Sequence, residues 1–464
     1  MNRDFFRPLL WLVLAVLLLG GLAMLIPAWS NNLINIKKLS WFDSLSPKAE
    51  IATPDTISAV EAIGISSDLI ALKPFLKKLN NPNSTLRIAY FGDSIIEGDL
   101  ITAKLRGQLQ ASHGGSGVGL VPITSIVSGF RQTIKHTFAK NWESLSFMSP
   151  HNQDVSLGFT GFTFIPRSYY VAEKAIEPLK IDSLAIMDSS FVAPKEVPKK
   201  TRYYVSNNPW VEYSGSSVAG GSASFSQIRL FYSHASDSSY VYVSKDGLAK
   251  QKYSLRGAEG LQTLNLSSPT PISKIRLEFS AHDPIHVYGL SFDEPKGAYV
   301  DNFPIRGYSG MYFQRIHSEI LKGFNNSLGY DLIVLQYGEN VSNPAIKDYS
   351  HYARGMKKTI QHIQAALPGV PILLISAHDR SVKINGEYTT SPDIPYLVKA
   401  QSQIASETGT GFWNLFAAMG GAGSMPTFVN HKPAWSGKDF THFTRSGGEH
   451  IAMLLLDYLQ GNQP

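Results

Sequence analysis

The sequence predicts an α/β fold, a parallel β-sheet flanked by helices, with an inserted β-sandwich domain and an N-terminal transmembrane helix. Three observations predict it. Apolar strand-like runs alternate with amphipathic stretches before about residue 150 and again after about residue 300, the pattern of a parallel sheet covered on both faces. Between them lie short alternating runs rich in Tyr, Val, Ser and Thr with no helical period, which indicate a sandwich. At the front, Pro8 to Trp29 is apolar and uncharged.

The apolar segment is long enough to span a hydrocarbon core of about 20 residues, with Trp11 and Trp29 near its ends where indole rings favour the interface. Arg3 and Arg7 precede it, which orients the N-terminus to the cytoplasm and the rest outward. A cleaved signal peptide is the rival reading, but the apolar run is long for one and no small-x-small cleavage site follows. The anchor is assigned to residues 1–29. Residues 30–64, polar with Ser46-Pro47 and Thr53-Pro54, read as a linker.

The first α/β part, 65–150, opens with a short helix over 65–80 and the apolar strand Leu86–Phe91. That strand runs into Gly92-Asp-Ser94, and a helix is expected from there to about Leu109, followed by the glycine-rich Gly114–Gly119. The sandwich, 151–299, contains the runs Thr201–Val205, Phe225–Tyr232, Tyr240–Val243, Lys274–Phe279 and Ile285–Gly289. The second α/β part, 300–464, reads as a helix at about 311–324, strand Asp331–Gln336 and a helix near 345–366. Strand Pro371–Ile375, a helix near 394–406, a short strand at Gly411–Asn414 and a final helix at about 446–459 complete it.

Bulk properties exclude several classes. At 464 residues the chain exceeds one compact core. Its net charge of +6 comes from scattered Lys and Arg without basic runs interleaved with aromatics, so nucleic acid is not expected as a partner. The absence of Cys excludes disulfides, thiol catalysis and thiolate metal sites.

Four elements carry candidate chemistry, in this order: Gly92-Asp-Ser94, Gly307-Tyr-Ser-Gly310, Tyr337-Gly-Glu-Asn340 and Asp439-Phe-Thr-His442. Reactive groups collect at the carboxyl ends of strands in an open parallel sheet, and three of the four lie at or just past such an end. A serine where a buried strand turns into a helix has its hydroxyl at the sheet edge, with amide dipoles aimed at it. A serine hydroxyl needs an imidazole to take its proton and a carboxylate to fix that imidazole's tautomer. The three-residue spacing of Asp439 and His442 lets both reach one side of a loop.

Plainer readings stand beside these. Ser94 can simply cap a helix, and Asp93 supports the turn. His450 or His378, in His378-Asp-Arg380 just past a strand, rivals His442, and Asn343 rivals Asn340. Gly307, Gly117 and Gly119 rival Gly310. His282 and His286 read as surface histidines of the insert. Among Tyr203, Tyr204, Trp210, Tyr213, Tyr232, Tyr240 and Tyr242, alternation places at least half in the sandwich core, and the rest could stack on sugar rings.

The combination resembles the SGNH (GDSL-type) serine hydrolase family, whose blocks carry Ser, Gly, Asn and His, and whose sheet is flavodoxin-like. The large β-rich insert after the Ser block, and the phrases Val287–Glu294 and Gly297–Asn302 leading to Gly307–Gly310, are similar to bacterial peptidoglycan O-acetylesterases with a carbohydrate-binding-like module. The resemblance implies Ser94 as nucleophile, His442 as base and Asp439 as its orienter, with the Ser94 amide, the Gly310 amide and the Asn340 side chain as oxyanion hole. One departure is Val341, where the family often has Asp. The implied function is an exported serine esterase, anchored in the bacterial inner membrane and facing the periplasm. It would remove O-acetyl groups from a cell-envelope glycan, peptidoglycan first, through an acetyl-serine intermediate. No cofactor or metal is implied. A polysaccharide O-acetyltransferase with the same triad, or a non-catalytic glycan-binding protein of the envelope, remains the alternative.

Overall fold

A computed structural model describes residues 69–150, 155–175, 200–257, 259–280 and 285–461. The expected membrane helix and linker lie outside these residues; among the described ones, no helix is long and apolar enough to cross a membrane.

Five strands form one parallel sheet in the order Ala298–Pro304, Leu86–Gly92, Leu332–Gln336, Ile372–Ile375 and Gly411–Trp413. Their continuous apolar runs follow from burial on both faces. Within one strand, Ile88 and Tyr90 enter one core while Ala89 and Phe91 enter the other. Helices Ser318–Leu328, Ser350–Ala366 and Ile394–Thr408 cover the Ala89 side, and Lys73–Leu79, Thr102–His113 and Arg445–Leu459 cover the opposite side. Four strands are those read from sequence. The edge strand Ala298–Pro304, which the sequence suggests only as the chain's return from the insert, pairs along its whole length with Leu86–Gly92.

The inserted block is two packed antiparallel sheets, with a separate two-stranded hairpin, Tyr169–Ala175 with Lys200–Ser206, that takes up the predicted run Thr201–Val205. One runs Gln251–Ser254, Tyr240–Lys245, Lys274–Phe279, Trp210–Ser214, Lys135–Phe138. The other runs Gln262–Asn265, Gln227–Ser233, His286–Asp293, Phe162–Pro166, Trp142–Ser146, with Gly119–Val121 also paired to His286–Asp293. Val241, Val243, Ile275 and Leu277 from the first meet Ile228, Leu230, Val287 and Phe292 from the second in one core. The block therefore begins near Gly119, earlier than the boundary at 151. Three short strands before residue 150 carry too little apolar alternation to be read alone, and only their partners define them.

The insert is fused to the sheet through buried charge. Arg87 binds Asp301 at 3.0 Å and Asp293 at 3.1 Å, Arg229 binds Asp293 at 2.8 Å, and the Tyr330 hydroxyl donates to Asp301 at 2.7 Å. Phe159, Phe231 and Tyr288 pack on Phe324 of the sheet's helical layer. A small hairpin, Ser381–Ile384 with Glu387–Thr390, is absent from the sequence reading although Asn385-Gly386, both at positive φ, is the signature of its tight turn.

Candidate active site

The parallel sheet delivers Gly92, Pro304, Gln336 and Ile375 to one edge, so the segments beyond them converge. Gly92 is needed for that: a Cβ there would sit 3.0 Å from Ile96 and 3.1 Å from the Gln336 carbonyl. Beyond it Asp93 accepts the Ile95 amide at 3.0 Å and starts a 3₁₀ turn, Ser94–Asp99. This differs from the expected continuous helix. The backbone breaks at Glu97 and Gly98, and the α-helix begins only at Thr102. The break turns the Glu97 carboxylate to Arg306 (2.9 Å) and buries the Asp99 carboxylate between Arg106 and Arg131. Ser94 thus stands on one short turn rather than at the end of a long helix dipole.

Ser94 Oγ lies 3.0 Å from His442 Nε2, and His442 Nδ1 lies 2.7 Å from Asp439 Oδ2. Asp439 also accepts the amides of His442 at 3.1 Å and Thr441 at 3.2 Å. Burial pushes the Asp439 carboxyl up, but the His442 ring and these two amides outweigh it and hold the group below the usual carboxylate range. With Nδ1 donating to that carboxylate, Nε2 is left as an acceptor for the serine hydroxyl. Both side chains of the pair are about half exposed, so the relay is open to a ligand. Such a serine can pass its proton to the imidazole as it attacks a carbonyl.

Asn340 reaches the same place from the Leu332–Gln336 strand. Its Nδ2 donates to Asp93 Oδ2 at 2.7 Å and to the Tyr308 carbonyl at 3.1 Å, which brings the 307–310 turn alongside. Asp93 is buried, and burial together with the nearby Glu339 pushes its carboxyl up to about 7 against the Ile95 amide, His378 and Asn340. Gly310, at φ 86°, is buried with its carbonyl held by Thr359 at 3.0 Å, and a Cβ would lie 2.5 Å from the Tyr337 ring. Gly307, at φ 76°, is exposed, with the Met148 side chain 3.7 Å from where a Cβ would lie. Gly117 and Gly119 pack against Phe292 and Asp301 in the insert junction.

The rival residues are placed elsewhere. His450 stacks on Trp435 at 3.9 Å, and Asn343 shapes a turn, its amide donating to Asp393 at 2.9 Å. His378 is buried between Glu339 and the Thr441 carbonyl. In the insert, Tyr213 and Tyr232 are core, Trp210 is covered by Arg276 at 3.8 Å, and Tyr240 by Lys252 at 3.9 Å. Tyr203 and Tyr204 stand exposed. His286 is buried against His234 at 4.3 Å instead of lying on the surface, because its strand runs through the middle of a sheet; His282 lies outside the described residues.

Two supports of the site have no mark in the sequence reading. Glu339 sits inside the Asn340 motif yet faces His378 rather than solvent. Phe440, at φ 55°, stacks on Tyr388 of the small hairpin at 3.6 Å, and its carbonyl accepts the Ser381 amide at 3.1 Å. A bulky residue in the left-handed region needs such clamping.

No family model matches the chain, and no curated protein matches it. Among solved structures, a peptidoglycan O-acetylesterase is 22% identical, with a TM-score of 0.60 over 84% of this chain and 95% of that one. A Bacillus subtilis protein is 12% identical (TM-score 0.30, 70% of this chain and 90% of that one). A family two carbohydrate esterase from Cellvibrio japonicus is 10% identical (TM-score 0.25, 69% and 98%). The first likeness reflects a shared fold; the other two scores are too low to bear on it.

Proposed function

We propose that this chain is a serine esterase that removes O-acetyl groups from a cell-envelope glycan, peptidoglycan being the first candidate. The observation that carries the reading is the relay Ser94–His442–Asp439, closed at 3.0 and 2.7 Å from segments far apart in the chain. The fold shared with a peptidoglycan O-acetylesterase supports the choice of substrate.

In this reading Ser94 Oγ attacks the ester carbonyl while His442 Nε2 takes its proton, and Asp439 stabilises the imidazolium. The developing oxyanion is held by the amides of Ser94 and Gly310 and by Asn340 Nδ2. Both Nδ2 hydrogens of Asn340 have acceptors, so the longer bond, to Tyr308, is the one exchanged for the oxyanion. His442 returns the proton to the departing sugar oxygen. Water, activated by the same imidazole, then releases acetate from the acetyl-serine. The apolar segment Pro8–Trp29 would tether the enzyme to the inner membrane with this site in the periplasm, and the insert would hold the glycan.

The test is acetate release from O-acetylated peptidoglycan beside the same material stripped of its O-acetyl groups. The reading requires acetate from the first only, without an added sugar acceptor, and none from the Ser94→Ala chain. Equal release from parent and variant would end it.

A further inference from the structure

We propose that His378, buried beneath the site as an imidazolium, is a positioning residue that holds the Asp439–His442 loop at its working distance from Ser94; the proposal rests on the esterase reading above. His378 Nδ1 lies 3.0 Å from Glu339 Oε1, and Nε2 lies 2.8 Å from the Thr441 carbonyl oxygen. A carboxylate and a carbonyl only accept, and a neutral imidazole carries one N–H, so only the doubly protonated ring donates to both partners. The side chains of His378 and Glu339 are 2% and 8% exposed, so water does not substitute for either partner.

The bridge joins two segments that each carry a site group. Glu339 immediately precedes Asn340, and Thr441 immediately precedes His442. Glu339 also accepts the His378 amide at 3.2 Å, fixing the carboxylate from a second direction. The charged groups facing the ring are Glu339 and, from the Ser94 turn, Asp93. Asp379, its chain neighbour, accepts the Met425 amide at 2.7 Å and the Ser424 hydroxyl at 3.3 Å, and the Phe443 ring packs at 4.8 Å. Burial pushes the imidazole down, but Glu339, the Thr441 carbonyl and Asp93 outweigh it and raise it above its ordinary value.

The sign follows. A raised imidazole keeps its second proton below its ordinary value and loses it only as pH climbs through the higher folded value. One of the two bonds then goes, Thr441 is released, and His442 leaves its working position. Turnover should therefore fall on the alkaline side.

The experiment uses the full chain with ¹⁵N-labelled histidine, taking His378→Gln as the spectral reference, together with p-nitrophenyl acetate kinetics across pH. At pH 7 the His378 ring should show protons on both nitrogens. Glu339→Gln keeps the shape but removes the charge. It should move the alkaline fall to lower pH and cut kcat roughly tenfold at neutral pH with KM within about twofold, the scale expected of a misplaced base. A thermal melt establishes that each variant is folded; should His378→Gln not fold, the Glu339→Gln profile and the parent spectrum decide. A bare Nδ1 at pH 7, with Glu339 holding the proton instead, would overturn the proposal, as would a parental pH profile in Glu339→Gln. If the parent hydrolyses no ester at all, the esterase reading fails on its own, and the ring spectrum still decides whether His378 is an imidazolium.

Discussion

Ser94, His442 and Asp439 form a chain of hydrogen bonds in which each member sets the chemistry of the next. The carboxylate fixes Nδ1 as donor, which leaves Nε2 basic toward the serine hydroxyl at 3.0 Å. With p-nitrophenyl acetate, Ser94→Ala and His442→Ala should each lose on the order of 10³-fold or more in kcat, and Asp439→Asn somewhat less. Parental turnover by Ser94→Ala would exclude the assignment. Asn340→Ala should lower kcat by about 10²–10³-fold with little change in KM, since an oxyanion donor acts on the transition state. A KM effect alone would make Asn340 a mere turn residue. Each of these four residues is named by motif and order alone. The bridge between Glu339 and His378 is not, because nothing in a sequence says which way a strand-end carboxylate points.

At the scale of elements, the loop Ser436–His442 is pinned from several sides. Its end closes on itself through the Gly437 amide and the Ser436 hydroxyl, both donating to the His442 carbonyl at 2.8 Å. Its middle is clamped by the Tyr388–Phe440 stack. Tyr388→Ala should free Phe440 from its left-handed conformation and lower kcat about tenfold while the melting temperature moves little, because the hairpin lies outside the core. Unchanged kcat would show the stack to be incidental. The turn after Ser94 depends on Asp99, at φ 63° and fully buried, which binds Arg106 at 3.3 Å and Arg131 at 3.0 Å and accepts from Thr133. Burial opposes its ionisation, yet the two guanidinium groups hold the carboxyl well below its ordinary value of 3.8. A depressed carboxyl stabilises the fold above the unfolded value and loses that contribution as pH falls. Asp99→Asn should therefore cost roughly 3–5 kcal/mol at pH 7, with two buried arginines left uncompensated. The gap to the parent in thermal melts should close as the pH drops below 3.8. A pH-independent gap would contradict the electrostatic account.

Across the whole molecule, the insert and the parallel sheet share buried charge and aromatic packing, so the sandwich is not a module on a tether. Arg87 lies in the central sheet and binds Asp293 at the end of the insert, and Asp301 in the strand that follows. A fragment cut at 151–299 would lose Gly119–Val121, Lys135–Phe138 and Trp142–Ser146, opening sheet edges in both layers. It should aggregate or lack a cooperative melt when followed by circular dichroism and size-exclusion chromatography. A monomeric, cooperatively folding 151–299 fragment would show the insert to be self-sufficient.

The α/β class, the alternation of helices with buried strands, and the four motifs at strand ends were determined by local pattern: apolar runs of strand length must be buried on both faces, and glycine with serine at their ends marks turns. Tertiary structure alone decided the rest. The start of the sandwich at Gly119, the edge strand Ala298–Pro304 and the Glu339–His378 bridge depend on which distant segment lies alongside. Short strands and buried ion pairs acquire their identity from a partner, and a partner tens to hundreds of residues away leaves no periodicity in the sequence that contains it.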